Sequence, residues 1–329
     1  MQYRKLGRTD LKVSVVAMGC WPIVGDATWG PQDEADTIAA IETALEVGVN
    51  FFDTAESYGD GYSEKLLGRF LSGRRDEVVI ASKVSPPHML PDDLKKACEQ
   101  SLKRLKTDYL DLYQLHWPNW DIRFEETMET MEELRSEGKA RVIGCSNFGP
   151  ADLTELLAVG RVESNQLAYN ILWRGVEYEL QPLCVENHVS ILTYCALAQG
   201  LLTGKFASAD EVPPGRARTR HFSSDRAQTR HGEPGREEET FQAIAAVRGI
   251  AEEAGAPMGQ VALAWLISRK GVASVLAGAR NAAQIRDNAA AAELRLSRDV
   301  LKRLTQATDP LKDAFGPELD MWQHESRIR

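Results

Sequence analysis

FFDTAESYGDG, residues 51–61, is the stretch from which the rest of the chain is read. A short apolar run ends at Asp53 and Thr54 and gives way to a polar, glycine-rich segment, the pattern of a buried strand opening into a loop. On that reading a carboxylate, Asp53, and a phenol, Tyr58, share one rim. The plainer alternative has Asp53 capping a helix near Ser63 and Tyr58 packing in a loop, and this stretch alone leaves both open.

Working outward, the same pattern recurs. An N-terminal β-hairpin is expected over residues 2–7 and 11–13. Strand-like runs then end near Gly19, Asp53, Lys83, His116, Asn147, Tyr169, Leu197 and Gly278. Helix-period segments lie between them, among them 33–47, 92–105, 124–136 and 152–159, several opened by a first-turn proline: Pro31, Pro91 and Pro150. Strands alternating with helices pair in parallel through right-handed crossovers. Eight such units at roughly 25–35 residues each fit a closed α/β fold, the (β/α)8 TIM barrel. A doubly wound open sheet is the alternative. Residues 1–329 are read as one domain, with a long loop at 206–239 and a C-terminal extension at 309–329.

A chain that is 43% hydrophobic and 26% charged belongs to the globular class. Its longest apolar run, residues 261–267, falls far short of the roughly 20 residues a membrane helix needs, and MQYRKLGRTD lacks a signal-peptide apolar core. The expected location is cytoplasmic, with no membrane partner. Five cysteines without C-x-x-C spacing argue against a disulfide framework or a zinc site. A net charge of −9 repels phosphate backbones and argues against nucleic acid as a partner. Oligomeric state is not legible.

Two segments break the even spacing. Residues 206–239 have no apolar periodicity and carry six arginines, at 216, 218, 220, 226, 230 and 236. Following the seventh strand, they overhang the mouth of a barrel, either as a lid or as a mobile linker. The second segment follows a helix expected at 297–308. There Phe315, Met321 and Trp322 suit docking over the mouth.

Lys83 closes VVIASKV and His116 closes YLDLYQLHW, so with Asp53 and Tyr58 four polar groups stand at the C-terminal ends of three successive strands. In a barrel that is the catalytic face. A lysine in such a rim needs a partner, and Asp53 is one strand away. A cation beside a phenol favours the phenolate, which lowers the Tyr58 pKa and makes it a proton donor and acceptor. His116 is placed to orient a carbonyl oxygen.

This quartet, in the contexts FDTAESYG, ASKV and LHW, resembles the aldo-keto reductases. MGCW (18–21), VIGCSNF (142–148), ESNQLAYN (163–170), GLLTGK (200–205) and GARNAAQIRDN (278–288) look like that family's motifs, in its order. The resemblance implies reversible hydride transfer between a nicotinamide cofactor and a small carbonyl or alcohol, without metal. NADP(H) is the expected cofactor, with NAD(H) as a second. By the resemblance Tyr58 is the general acid, Lys83 and Asp53 tune it, and His116 guides the carbonyl. Ser146, Asn147 and Gln166 hold the carboxamide. Cys195, Ala196, Leu197, Leu202, Gly204 and Lys205 line the pyrophosphate, and Gly278, Arg280, Gln284 and Asn288 meet the adenosine end. Trp21 and Trp117 wall the substrate pocket, with Trp120 and Trp173 as further candidates. Many NADPH-specific members have Lys-Ser at the positions of Gly278 and Ala279 and Arg at that of Gln284, so Arg280 is left as the cation for the 2′-phosphate. Two other classes stay open. A barrel lysine can form a Schiff base, and potassium-channel β subunits of this fold act as cofactor-bound partners.

Overall fold

The computed structural model describes residues 1–329. Two short antiparallel strands, β1 (Tyr3–Lys5) and β2 (Lys12–Ser14), form the N-terminal hairpin. Eight parallel strands then close a barrel. They are β3 (Val16–Gly19), β4 (Phe51–Asp53), β5 (Val79–Val84), β6 (Leu110–Leu115), β7 (Ala140–Ser146), β8 (Ser164–Ala168), β9 (Ser190–Tyr194) and β10 (Val272–Gly278). Closure comes from β10 pairing with both β3 and β9.

Ten helices surround or follow the barrel: α1 (Glu34–Glu46), α2 (Tyr62–Leu71), α3 (Pro91–Leu105), α4 (Phe124–Ser136), α5 (Pro150–Val159), α6 (Leu180–Glu186), α7 (Glu237–Glu253), α8 (Met258–Ile267), α9 (Ala282–Ala290) and α10 (Arg298–Phe315). Their ends follow local chemistry. Pro91 and Pro150 occupy first-turn positions where no amide is needed, and Asp92 and Asp93 meet the positive end of α3. Pro31 is the exception. It lies ahead of Asp33, whose carboxylate accepts from the Ala35 and Asp36 amides and so starts α1.

Two apolar layers hold the barrel. One fills the interior with Ala17, Phe51, Val79, Ala81, Leu112, Val142, Leu192 and Leu276, and the hairpin residues Leu6 and Val13 plug its lower end. The other lies between strands and helices and is much the larger. Because the interior is plugged below, only the C-terminal rim of the strands opens into a cavity.

Three expectations need adjustment. The seventh barrel strand ends at Tyr194 rather than Leu197, because Cys195 turns left-handed at φ 53°. The last helix does not stop at Thr308 but runs through Pro310 to Phe315. Leu304, Thr308 and Leu311 are buried and Phe315 packs on Trp173, so one continuous stripe outweighs the hydrogen bond that proline removes. The segment 206–239 is also better anchored than its composition suggests. Val212, Ala217, His221 and Phe222 are buried, and Arg220 bonds Glu233, Glu318 and the carbonyls of Gln323 and His324. Those last contacts tie the segment to the chain after α10. Trp322, Gln323 and Arg327 reach the barrel mouth, so the expected docking there is met by Trp322, while Phe315 and Met321 pack on Trp173 instead of lining the mouth. Past Arg327 the main chain runs against α5. The Arg329 carbonyl accepts from the Ala151 amide, and a side chain on Gly149 would collide with it.

Candidate active site

Side chains alternate along a strand, so the residue two places beyond an interior apolar one faces the same way. Asp53 follows Phe51, Lys83 follows Ala81, Gln114 follows Leu112 and Tyr194 follows Leu192, while Gln166 stands two places beyond the buried Ser164. A polar layer therefore sits directly on the apolar one. In register, Asp53 pairs with Ala81, Lys83 with Gln114, and Ser146 with Gln166.

Lys83 is wholly buried and uses all three ammonium hydrogens. It donates to Asp53 Oδ1 at 2.6 Å, to the Thr54 carbonyl at 2.8 Å and to the Tyr58 hydroxyl at 3.1 Å. The second Asp53 oxygen accepts from Gln166 Nε2 at 2.8 Å and Gln114 Nε2 at 3.3 Å. Asp53 thus pairs with lysine rather than capping α2, whose first residue is preceded by Gly61 with no side-chain cap. Burial pulls the Lys83 pKa down, but Asp53 and Tyr58 push harder and the net direction is up. The ammonium stays charged.

Tyr58 corrects an expectation. Burial raises its pKa, Lys83 opposes without reversing this, and the phenol is held above its ordinary range instead of below it. A single neighbouring cation, itself neutralised by Asp53, does not offset removal of the phenolate from water. His116 meets Tyr58 edge-on at 5.9 Å between ring centroids. Burial, then the fields of Lys83 and Arg327, hold its pKa well below 6.5, so the ring is neutral at pH 7. The signs give a prediction. With Tyr58 in the proton-donor role that the resemblance implies, carbonyl reduction is expected to show level kcat/KM between about pH 6 and pH 9, while alcohol oxidation, drawing on the phenolate, rises with pH. A step in the reduction profile near pH 7 would contradict the neutral His116.

The quartet lies at the end of a cavity of about 900 Å³. Ser146, Asn147, Gln166, Cys195, Ala196, Leu197, Lys205, Gly278, Arg280, Gln284 and Asn288 all line it. Ser146 donates to the Gln166 carbonyl, Asn147 bonds the His116 carbonyl and Ser146 Oγ, and Tyr194 donates to Asn147 Oδ1. Since the Asp53 carboxylate accepts, Gln166 turns its amide nitrogen inward and leaves Oε1 toward the cavity. Leu202 is a correction. It is fully buried in the core, and neither it nor Gly204 reaches the cavity; Gln199, Gly200 and Thr203 do. Cys195, Ala198, Gln199 and Gly200 all take positive φ, so this segment coils and alternates its outward faces in a way no strand or helix period predicts.

The profile of the Aldo/keto reductase family matches residues 16–309 of this chain. The chain belongs to that family. It is an oxidoreductase of the kind that interconverts carbonyls and alcohols. It is 35% identical to the methylglyoxal reductase YeaE of Escherichia coli, over 87% of this chain and 90% of that protein. It is 31% identical to the NADH-specific methylglyoxal reductase of Escherichia coli, over 89% and 94%. Among solved structures, an aldo/keto reductase from Klebsiella pneumoniae in complex with NADP and acetate superposes with a TM-score of 0.73 at 30% identity, covering 95% of this chain and 96% of that one.

In this aldo-keto reductase Trp21 and Trp117 both line the cavity, Trp21 stacked on Tyr58 at 6.1 Å and Trp117 under Arg327. Trp120 and Trp173 do not: Trp120 bonds Asp152 on the outer surface and Trp173 is core. Arg280 faces the cavity, but its guanidinium already bonds the Trp29 and Pro31 carbonyls and Gln32 Oε1. The first turn of α9 is also satisfied, the Asn281 side chain accepting from the Gln284 amide and the Gln284 side chain from the Arg280 amide. Several lining residues escaped the sequence reading. Gln114, which lies buried beneath the cavity and not on its wall, is also within reach of alternation from Leu112. Tyr194 is within reach too, but a strand read as far as Leu197 places the end three residues late. Gln199 and Arg216 had no signal, since both lie in irregular chain.

Proposed function

We propose that this aldo-keto reductase reduces an aldehyde, ketone or sugar-like carbonyl to the alcohol, reversibly, with Tyr58 as general acid and base and NADPH as the preferred cofactor over NADH. The observation that carries this reading is the wholly buried Lys83 joining Asp53 to the Tyr58 hydroxyl at the floor of the cavity. Five free thiols suit a reducing, cytoplasmic setting.

The lining residues suit a dinucleotide. Both side-chain amide atoms of Gln199 are buried without a partner beside the cavity. A Cβ on Gly200 would lie 2.9 Å from Lys205 Nζ and 3.8 Å from Arg216 Nη1, so two cations without an ion-pair partner converge on one glycine. Orphaned donors and unpaired cations at one place fit phosphate groups. At the other end Gln166 Oε1 offers an acceptor to a carboxamide, beside Ser146 and Asn147 on the same wall. The relatives support the class: one is named as NADH-specific and another was solved with NADP.

When bound, the nicotinamide supplies the hydride for the carbonyl carbon. The chain does the rest. The neutral His116 ring faces the cavity with no protein partner and can donate to the carbonyl oxygen, setting its direction. Tyr58 releases its proton to that oxygen, and the phenolate left behind is held by Lys83, whose own charge is balanced by Asp53. In oxidation the same phenolate takes the alcohol proton. Lys83 does not suit a Schiff base, because an ammonium with all three hydrogens engaged has no free electron pair.

A panel of aldehydes, ketones and aldoses, assayed by NADPH and NADH oxidation, tests the reading. No turnover with any member would overturn it. Within that panel, Arg280→Ala is expected to raise the KM for NADPH by about tenfold and that for NADH much less. The effect is held to that size because three Arg280 bonds already go to the 29–32 loop. Equal losses with both cofactors would make Arg280 a brace for that loop instead.

A further inference from the structure

Several buried or half-buried arginines in this protein are paired. Arg174 bonds Glu177 and Asp309, Arg220 bonds Glu233 and Glu318, and Arg327 bonds Asp320. Arg216 and Arg269 have no ion pair, and neither has Arg218. It lines the active-site cavity, makes no side-chain hydrogen bond or ion pair, and buries its Nε without a partner. Two indoles hold it. Its guanidinium carbon lies 5.6 Å from the Trp21 ring centroid and 5.1 Å from that of Trp322. Aromatic faces orient a guanidinium without consuming its N–H donors.

The surroundings do not supply the missing anion. Asp26, the acidic side chain closest in its influence, spends its carboxylate on the Trp21 indole and the Thr28 and Trp29 amides. Arg230, also on the cavity wall, adds a second unpaired charge. A protein of net charge −9 therefore keeps a local excess of positive charge here. The place is the substrate end of the cavity, because Trp21 also stacks on Tyr58 with 20° between the ring planes. One indole separates the Arg218 guanidinium from the phenol. Lys205 and Arg216 converge instead beside Gly200, on the segment after β9.

We propose that Arg218 is a specificity residue that receives an anionic group, carboxylate or phosphate, on the carbonyl substrate, one indole's breadth from the carbon being reduced. This rests on the reading of the quartet as a carbonyl-reducing site. The anion completes the donors that the two indoles leave free, and Arg230 draws it in from solvent.

The test compares kcat/KM for 4-carboxybenzaldehyde against 4-methylbenzaldehyde, and for glyceraldehyde 3-phosphate against glyceraldehyde, in the wild type and in Arg218→Met. Methionine keeps an unbranched apolar stem between the indoles. The wild type is expected to favour the anionic member of at least one pair by about ten- to a hundredfold, and the variant to lose that ratio. The pair that responds tells carboxylate from phosphate. No anionic preference in the wild type, an unchanged ratio in the variant, or a raised KM for NADPH in place of a changed ratio would each overturn the proposal. If the wild type turned over none of these aldehydes, the reduction reading would fail separately. Binding would then decide, with 4-carboxybenzyl alcohol and 4-methylbenzyl alcohol titrated against tryptophan fluorescence in the presence of NADP. Tighter binding of the carboxylate, lost in Arg218→Met, supports the anion site, and equal binding sinks it.

Discussion

Tyr58→Phe is expected to lower kcat by two to three orders of magnitude while NADPH binding is retained. The substitution removes one hydroxyl and keeps the ring that stacks on Trp21, so the cavity wall survives and only the proton donor is lost. General acid–base catalysis contributes about 10²–10⁴ in rate. Because burial holds the phenol protonated well into the alkaline range, no other group lies ready to replace it: His116 is neutral and Lys83 is engaged. The measurement is a single-turnover reduction with saturating NADPH, alongside cofactor binding by fluorescence. A variant keeping more than half of the wild-type kcat would remove Tyr58 from its role.

Lys83→Met is expected to abolish activity and to destabilise the fold. Truncating one member of a buried charge pair leaves the other uncompensated, at a cost of about 3–5 kcal/mol. Gln166 and Gln114 still donate to Asp53 Oδ2 in the variant, which places the loss toward the lower end of that range. Tyr58 loses the cation that opposes burial, so its phenolate becomes still less accessible and alcohol oxidation suffers with reduction. Thermal unfolding and both directions of the assay test this together. An unchanged melting temperature with unchanged turnover would show that Lys83 is not in the buried network.

The two variants probe different layers of one arrangement. Tyr58 is half-buried and faces the cavity, whereas Lys83 and Asp53 lie beneath it with almost no exposure. Loss of the upper group is expected to be chiefly kinetic. Loss of the lower one is kinetic and structural.

How far the sequence carries can be argued from particular elements. The barrel was legible because its signals are local: an apolar run, a polar break and a helix period, repeated. Asp53, Lys83 and His116 were legible because they close such runs, and a strand's end fixes where its last side chain stands. Gln114 obeyed the same rule and was within reach of it.

Other features depended on contacts between distant segments. The direction of the Tyr58 pKa is the difference between burial and one nearby charge, and burial is a property of the assembled cavity. The helix ending at Phe315 reads as stopping before Pro310 until Trp173 and His221 are seen to receive its far end. Residues 206–239 look like solvated chain because their anchors pair with partners far along the sequence, Arg220 with Glu318 and His221 with Leu172. Arg218 was one of six arginines in that stretch. The sequence alone determined the barrel, the rim and the four groups on it, since periodicity and strand ends are local. Only the tertiary structure decided which arginines are paired and which face the cavity unpaired, because a charge is defined by its neighbours and those come from β3, the 206–239 segment and the chain after α10.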